Sequence, residues 1–341
     1  EKLYKSYLEE DPYNTVVLEK LARLYTASGK MKEAKEVYEK LLHLQPQNPN
    51  YLHDYAVVLL NLGEYRKAKA ILSTLYDRYP DNPTVAFTYG LAAELTGDFV
   101  QARRVYEKLL TAYPDNPKVV ERLAGVYLSL GLLDRAENLI KKGKALEPEN
   151  EHFELMEVEL LTKRGLYDRA LRKLGELKKR NPADYRLYFL EAVVYDAAGN
   201  YAKAEESLRK AIELNPEDAD LYNHLGYSLL LWYGSKRVDE AEELIKKALV
   251  LEPDNPAFLD SMGWVYYHRG EYKKALNYLL KALKEVYDDP VVNEHVGDAL
   301  RKLGFKEQAR LYYRKALELL EQGRQGERNQ KERLLRKLGE L

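Results

Sequence analysis

A chain of 341 residues with 45% hydrophobic and 32% charged residues and a net charge of −1 has no basic excess of the kind that draws DNA, RNA or an anionic membrane. It has no apolar run of about 18 residues to span a bilayer. It also has no cysteine, which excludes disulfides, thiolate metal sites and cysteine nucleophiles.

The chain opens at Glu1 inside a helical pattern covering residues 1–14. That opening leads to the expectation that an upstream segment, such as a signal peptide or lipid anchor, has been removed. Few Met and abundant Lys, Glu, Arg and Tyr suggest a thermophilic source. From residue 15 onward the chain is periodic. Alanine recurs at 34, 68, 102, 136 and 170, then at 204, 241, 275 and 309, a step of 34 broken once by 37. Glycine precedes it by five residues at 29, 63, 97, 131, 165 and 199. All 13 prolines fall at the ends or starts of these units, where they do not interrupt a helix. Each unit therefore predicts two short amphipathic helices, A and B, joined by a turn at the glycine and closed by the proline. Small residues in helix A, among them Gly90, Gly226, Gly263 and Gly297, let the paired helices approach closely.

This pattern resembles the tetratricopeptide repeat over essentially the whole chain. The expected layout is a helix B of a truncated or degenerate repeat at 1–14, then nine repeats over 15–323 starting at 15, 49, 83, 117, 151, 185, 219, 256 and 290, and a capping helix at 324–341. The resemblance implies an all-α, right-handed superhelical solenoid whose inner wall is made by the A helices.

No catalytic constellation emerges. The histidines at 43, 53, 152, 224, 268 and 295 are scattered without metal-ligand spacing, and neither GxGxxG, GxxxxGK[ST] nor GxSxG occurs. No enzyme, metal or cofactor is expected. Most of the 29 tyrosines recur at packing positions, such as Tyr38, Tyr106 and Tyr313 in helix B.

Residues that the repeat does not need are more informative. At roughly 100° per residue, positions two, five, nine, twelve and thirteen of helix A share the face opposite the packing seam. There the repeats place Asn50, His53, Val57, Leu60, Phe87, Leu91 and Leu95 early in the chain. Later they place Phe189, Asn223, Tyr227, Asp260, Trp264, Tyr267 and His268, followed by Glu294 and Asp298. Rings beside amides and carboxylates suit peptide binding, so Phe189 to His268 form the expected groove site and Val57, Leu60, Phe87 and Leu91 a secondary one. The alternatives are that these residues touch one another, or that an N-terminal segment preceding Glu1 fills the groove.

Chaperone-binding members of the family grip a terminal carboxylate with Lys, Asn and Arg. The corresponding positions here hold Glu19 and Arg23, His53 and Val57, or Phe87 and Leu91, so that clamp is absent. The lengthened turn, Leu231 to Arg237 with Trp232 and Tyr233, is a candidate second contact surface. The terminal stripe Leu334, Leu335, Leu338 and Leu341, with Arg328, Lys331, Arg333, Arg336 and Lys337, reads as a capping helix or else as a docking or self-associating one.

The phrases Asn223-His224-Leu225-Gly226-Tyr227, Pro253 to Ala257 and Leu259 to Trp264, with the lengthened turn, resemble tetratricopeptide lipoproteins and periplasmic proteins of the Gram-negative envelope. Some of these deliver substrates to carboxyl-terminal processing proteases. The resemblance implies a non-enzymatic adaptor with a protein partner in its groove, at a periplasmic or membrane-anchored location, with the cytoplasm as alternative. An enzyme with its catalytic domain elsewhere, or a self-assembling scaffold, are the competing classes.

Overall fold

The computed structural model describes residues 1–327 and 329–340, and every regular element among them is helical. Helix α1 (Lys2–Glu10) leads into nine pairs. They are α2 (Thr15–Ala27) with α3 (Met31–Leu44), α4 (Pro49–Asn61) with α5 (Tyr65–Arg78), and α6 (Pro83–Leu95) with α7 (Phe99–Ala112). Next come α8 (Pro117–Ser129) with α9 (Leu133–Leu146), α10 (Glu151–Lys163) with α11 (Tyr167–Arg180), and α12 (Tyr185–Ala197) with α13 (Tyr201–Leu214). The last are α14 (Ala219–Tyr233) with α15 (Val238–Leu251), α16 (Pro256–His268) with α17 (Tyr272–Glu285), and α18 (Pro290–Lys302) with α19 (Lys306–Glu321), followed by α20 (Gln330–Gly339). The even-numbered helices α2 to α18 are the A helices.

Each A helix starts the same way. Asn14, Asn48, Asn82, Asn116, Asn150, Asp184, Asp218, Asn255 and Asp289 each accept a first-turn backbone N–H through the side chain. These bonds satisfy donors that a helix start leaves orphaned. The A-to-B turns place Gly29, Gly63, Gly97, Gly131, Gly165, Gly199, Gly270 and Gly304 at φ between 69° and 89°, a conformation that a β-carbon would strain.

Between paired helices the alanines at 34, 68, 102, 136, 170, 204, 241, 275 and 309 are all fully buried. A β-carbon on Gly297 would stand 2.5 Å from the Tyr313 ring, and one on Gly263 2.7 Å from Leu279, so these pairs touch at the backbone. Tyr38, Tyr106 and Tyr313 bury their rings; Tyr106 and Tyr313 donate their hydroxyls to Glu94 and Asp298 of the paired A helix, and Tyr38 donates to Asp54 of the A helix that follows.

The chain divides into two compact units, one of residues 1–130 and 141–148, the other of residues 131–140 and 149–341. Each is an all-α solenoid in which helix pairs stack on the pairs before and after them. In the first, Leu18, Tyr25, Tyr38 and Leu41 head an apolar core. In the second, Leu225, Leu229, Ile245, Met262 and Val265 belong to an apolar cluster around α14, α15 and α16.

The lengthened turn extends α14 to Tyr233 and continues as a 3₁₀ turn over Gly234–Arg237. Its indole points back onto the preceding repeat, while Tyr233 stays within the turn against Trp232 and Arg237. Trp232 stacks on Tyr201 with ring centres 5.4 Å apart and donates its indole N–H to Asp196 at 2.5 Å. Leu231 beside it stays 54% exposed.

The terminal helix is shorter than the stretch 324–341, because residues 324–327 are not helical and α20 begins only at Gln330. Arg328 and Leu341 lie outside the described residues. No described helix is long and apolar enough to cross a membrane.

Candidate functional site

The sequence-derived residues of the second unit sit on four successive A helices, Phe189 on α12 and the rest on α14, α16 and α18, of which α14 packs on α16 and α16 on α18. This happens because position nine of one A helix and positions five and six of the next face the same way. Tyr227 of α14, Asp260 and Trp264 of α16 and His295 of α18 meet there. His295 Nδ1 stands 3.0 Å from both oxygens of Asp260, and the Tyr227 hydroxyl lies 3.5 Å from Nε2. Trp264 stacks on His295 with ring centres 4.0 Å apart and on Tyr267 at 4.5 Å, while His268 meets its edge at 5.3 Å. Phe189 lies to one side, edge-on to His224 at 4.9 Å.

The floor of the cluster is buried, while Phe189, Asn223, Tyr227, Trp264, Tyr267 and His268 around it are half-buried. Asp260 is only 6% and His295 only 3% exposed. Tyr227 donates its hydroxyl at 2.5 Å to Glu327, a hundred residues further on, in the segment before α20. The Asp260–His295 pair joins α16 to α18 beneath the rings.

The electrostatics follow from that burial. Desolvation would push His295 down, but the charge and hydrogen bond of Asp260, aided by Glu327 and Asp298, outweigh it and hold the imidazole above its ordinary value. Burial pushes the Tyr227 phenol well up, and Glu327 and Asp260 push it further. Burial lowers His224 and, together with the charge of His295, His268.

Two polar atoms here have no partner. The Asn223 Oδ1 and the Trp264 Nε1 are enclosed and make no hydrogen bond. An enclosed unpaired donor or acceptor costs about 1–3 kcal/mol. The wall thus carries one orphan acceptor on α14 and one orphan donor on α16.

Beyond the cluster the wall turns acidic. Glu294 and Asp298 of α18 are nearly inaccessible. Arg333 binds Glu294 through Nε at 2.6 Å and Nη2 at 2.9 Å, and Lys337 bridges Glu294 at 2.7 Å and Asp298 at 2.6 Å. Burial pushes Glu294 up, yet Arg333 and Lys337 override it and hold its carboxyl at about 2.

In the first unit Val57, Phe87 and Leu91 are half-buried and Leu60 is buried, with Phe87 5.9 Å from the Tyr106 ring. His53 bonds Thr88 at 3.1 Å across α4 and α6. These residues line the A-helix side without an acidic or orphaned polar group among them.

Sequence reasoning missed His295, Glu327 and the α20 cations as parts of the site. His295 follows Glu294, already on the wall, and a ring there beside Asp260 one repeat earlier was the available signal. Arg333 and Lys337, four apart, match the carboxylates Glu294 and Asp298, also four apart. Among the described residues no group of three or more His, Asp or Glu side chains is arranged to hold a metal ion.

An array of paired helices with its unusual residues gathered on the A-helix wall defines an interaction scaffold of the helical-repeat class. Family models described as tetratricopeptide repeat match residues 1–53, 26–95, 93–157 and 149–322, and the chain belongs to that family. A TPR repeat-containing protein of Pseudomonas aeruginosa is 38% identical over 76 residues, 22% of this chain, and the match spans only 12% of that relative's length. Among solved structures, a tetratricopeptide repeat protein from Parabacteroides merdae superposes with a TM-score of 0.60 at 19% identity, covering 78% of this chain and 99% of that one. Human IFIT1, solved as a dimer with m7Gppp-AAAA, gives a TM-score of 0.59 at 17% identity over 96% of this chain and 81% of that one. These likenesses speak to the fold.

Proposed function

We propose that this protein is a non-catalytic adaptor that captures a protein segment on its A-helix wall, with the main contacts at Phe189, Asn223, Tyr227, Asp260, Trp264, Tyr267 and His268. The secondary contacts are Val57, Leu60, Phe87 and Leu91 in the first unit. Tetratricopeptide repeats are protein-interaction modules, and the observation that carries the specific reading is the orphan pair, Asn223 Oδ1 and Trp264 Nε1. An acceptor and a donor left unpaired on neighbouring A helices suit the N–H and C=O of a backbone segment that enters as the rings around them part, and that pairing would recover the penalty. The phrases at 223–227 and 253–264 support placing this adaptor in the bacterial envelope, presenting captured proteins to a carboxyl-terminal processing protease.

The test uses mild substitutions, because Tyr227 and Asp260 hold the cluster together. Asn223→Ala and Trp264→Phe remove the orphan atoms while keeping most of the packing. Captured partners should fall at least tenfold in yield in the double variant, with an unchanged circular dichroism spectrum. Equal yields from both proteins would refute wall capture. The adaptor role further requires that a captured partner be cleaved faster by the protease when this chain is added.

A further inference from the structure

The acidic end of the wall already holds a ligand-like element. Among the described residues the cations that bind Glu294 come from α20, through Arg333 and Lys337, and Lys337 also pairs with Asp298. Glu294 is 1% exposed, and a carboxylate buried that deeply requires a cation. The two cations sit four residues apart with Leu334 and Leu338 one position after each, so charge and apolar contact share one helical face. Leu334 is fully buried and Leu338 partly, in the cluster that also holds Tyr267.

The attachment of α20 is slight compared with that of the repeat helices. It spans ten residues, too few for a stable helix alone, and only Gln330 and Leu334 are buried. Leu335 is 52% exposed. It hangs on a non-helical segment flanked by Gly323 and Gly326, and Asn329 just before it adopts φ 58°, a conformation unusual for any residue but glycine. Short elements with few buried side chains are the ones that open locally.

We propose that Glu294 and Asp298, with the apolar floor beside Tyr267, form a docking site for a cationic amphipathic helix of a partner protein, and that α20 is a built-in occupant which such a helix displaces. The partner presents Arg or Lys at i and i+4 and Leu at i+1 and i+5, the pattern of Arg333, Leu334, Lys337 and Leu338. Displacement also withdraws Glu327 from Tyr227 and so uncovers the aromatic cluster. The proposal rests on the reading of the A-helix wall as a binding surface, and narrows it to one partner chemistry at one end.

The experiment uses the full chain and a fluorescein-labelled peptide of residues 329–340. Leu335→Pro breaks α20 at an exposed position and should raise peptide affinity at least tenfold, because the tethered competitor no longer holds the site. Adding Glu294→Gln in that background, or using the R333E/K337E peptide, should abolish binding. Should Leu335→Pro disturb the fold, the R333A/K337A chain frees the same site by removing the cations alone. Equal peptide affinity for the wild-type chain and both opened variants overturns the proposal, as does undiminished binding to the Glu294→Gln chain. Wild-type dimers that dissolve on opening α20 would also overturn it, since the occupant would then be a second copy. Because the readout is at Glu294, failure here with intact dependence on Asn223 and Trp264 would leave the capture reading standing.

Discussion

Burial alone would keep His295 neutral, and Asp260 at 3.0 Å reverses that. A histidine held above its ordinary 6.5 contributes stability that is fully present below that pH and is lost as pH rises through its own, higher value. Trp264, stacked 4.0 Å from the ring, reports the change, because an imidazolium quenches indole fluorescence and neutral imidazole does so far less. In a Trp232→Phe background, fluorescence should rise along a titration whose midpoint lies above 6.5, and Asp260→Asn should move that midpoint down. A flat signal from pH 6 to 9 would mean that His295 does not titrate there. Backbone contact at Gly297 sets a second residue-scale expectation. Gly297→Ala would press a β-carbon to 2.5 Å from Tyr313, whose hydroxyl is held by Asp298 at 2.6 Å, so the ring is poorly placed to yield. The expected loss is about 1–3 kcal/mol, read as a lowered denaturant midpoint.

Among elements, the A helices differ from the B helices in how they begin. The B-helix starts are mostly uncapped by side chains, with Asp98 and Asn200 as exceptions, while every A helix has its Asn or Asp. The A helix follows a turn closed by the cap residue's own N–H, as from Asn82 to the Tyr79 carbonyl, and the next N–H groups are left to the cap side chain, whereas the B helix enters through the left-handed glycine. Asn82 accepts from Thr84 at 3.0 Å and Val85 at 3.2 Å. Asn82→Ala should cost about 1 kcal/mol and speed hydrogen exchange at the first-turn amides of α6 more than at α7. Uniform acceleration across both helices would show that the cap acts through the whole repeat.

At the scale of the molecule, the helical layout was written in residue spacing, and the closure of the site was not. The alanine at each step of 34 is legible because the same contact recurs in every pair, and all nine are fully buried. The Asn and Asp caps repeat on the same beat and were equally readable, though their neighbour Pro draws the eye first. His295 was hidden because its meaning depends on Asp260, 35 residues earlier, in a repeat that differs from its neighbours. The Tyr227–Glu327 bond joins residues separated by 100 positions, and no local pattern encodes it. Wall residues could be assigned to a face from periodicity, but whether that face is bare depends on a terminal segment outside the period.

The lengthened turn has a mechanical meaning. Most neighbouring repeats here are joined by packing and by ion pairs at the surface, such as Lys69 with Asp98 in the first unit. At the turn after α14, ion pairs such as Arg237 with Glu205 are joined by an indole that reaches back one repeat, bonding Asp196 and lying on Tyr201. Under tension applied along the chain, an array of like repeats unspools pair by pair from its weakest joint. The rivet at Trp232 ties α14 to α12 and α13, so these helices are expected to unspool as one block in single-molecule pulling, and Trp232→Ala to split that step in two.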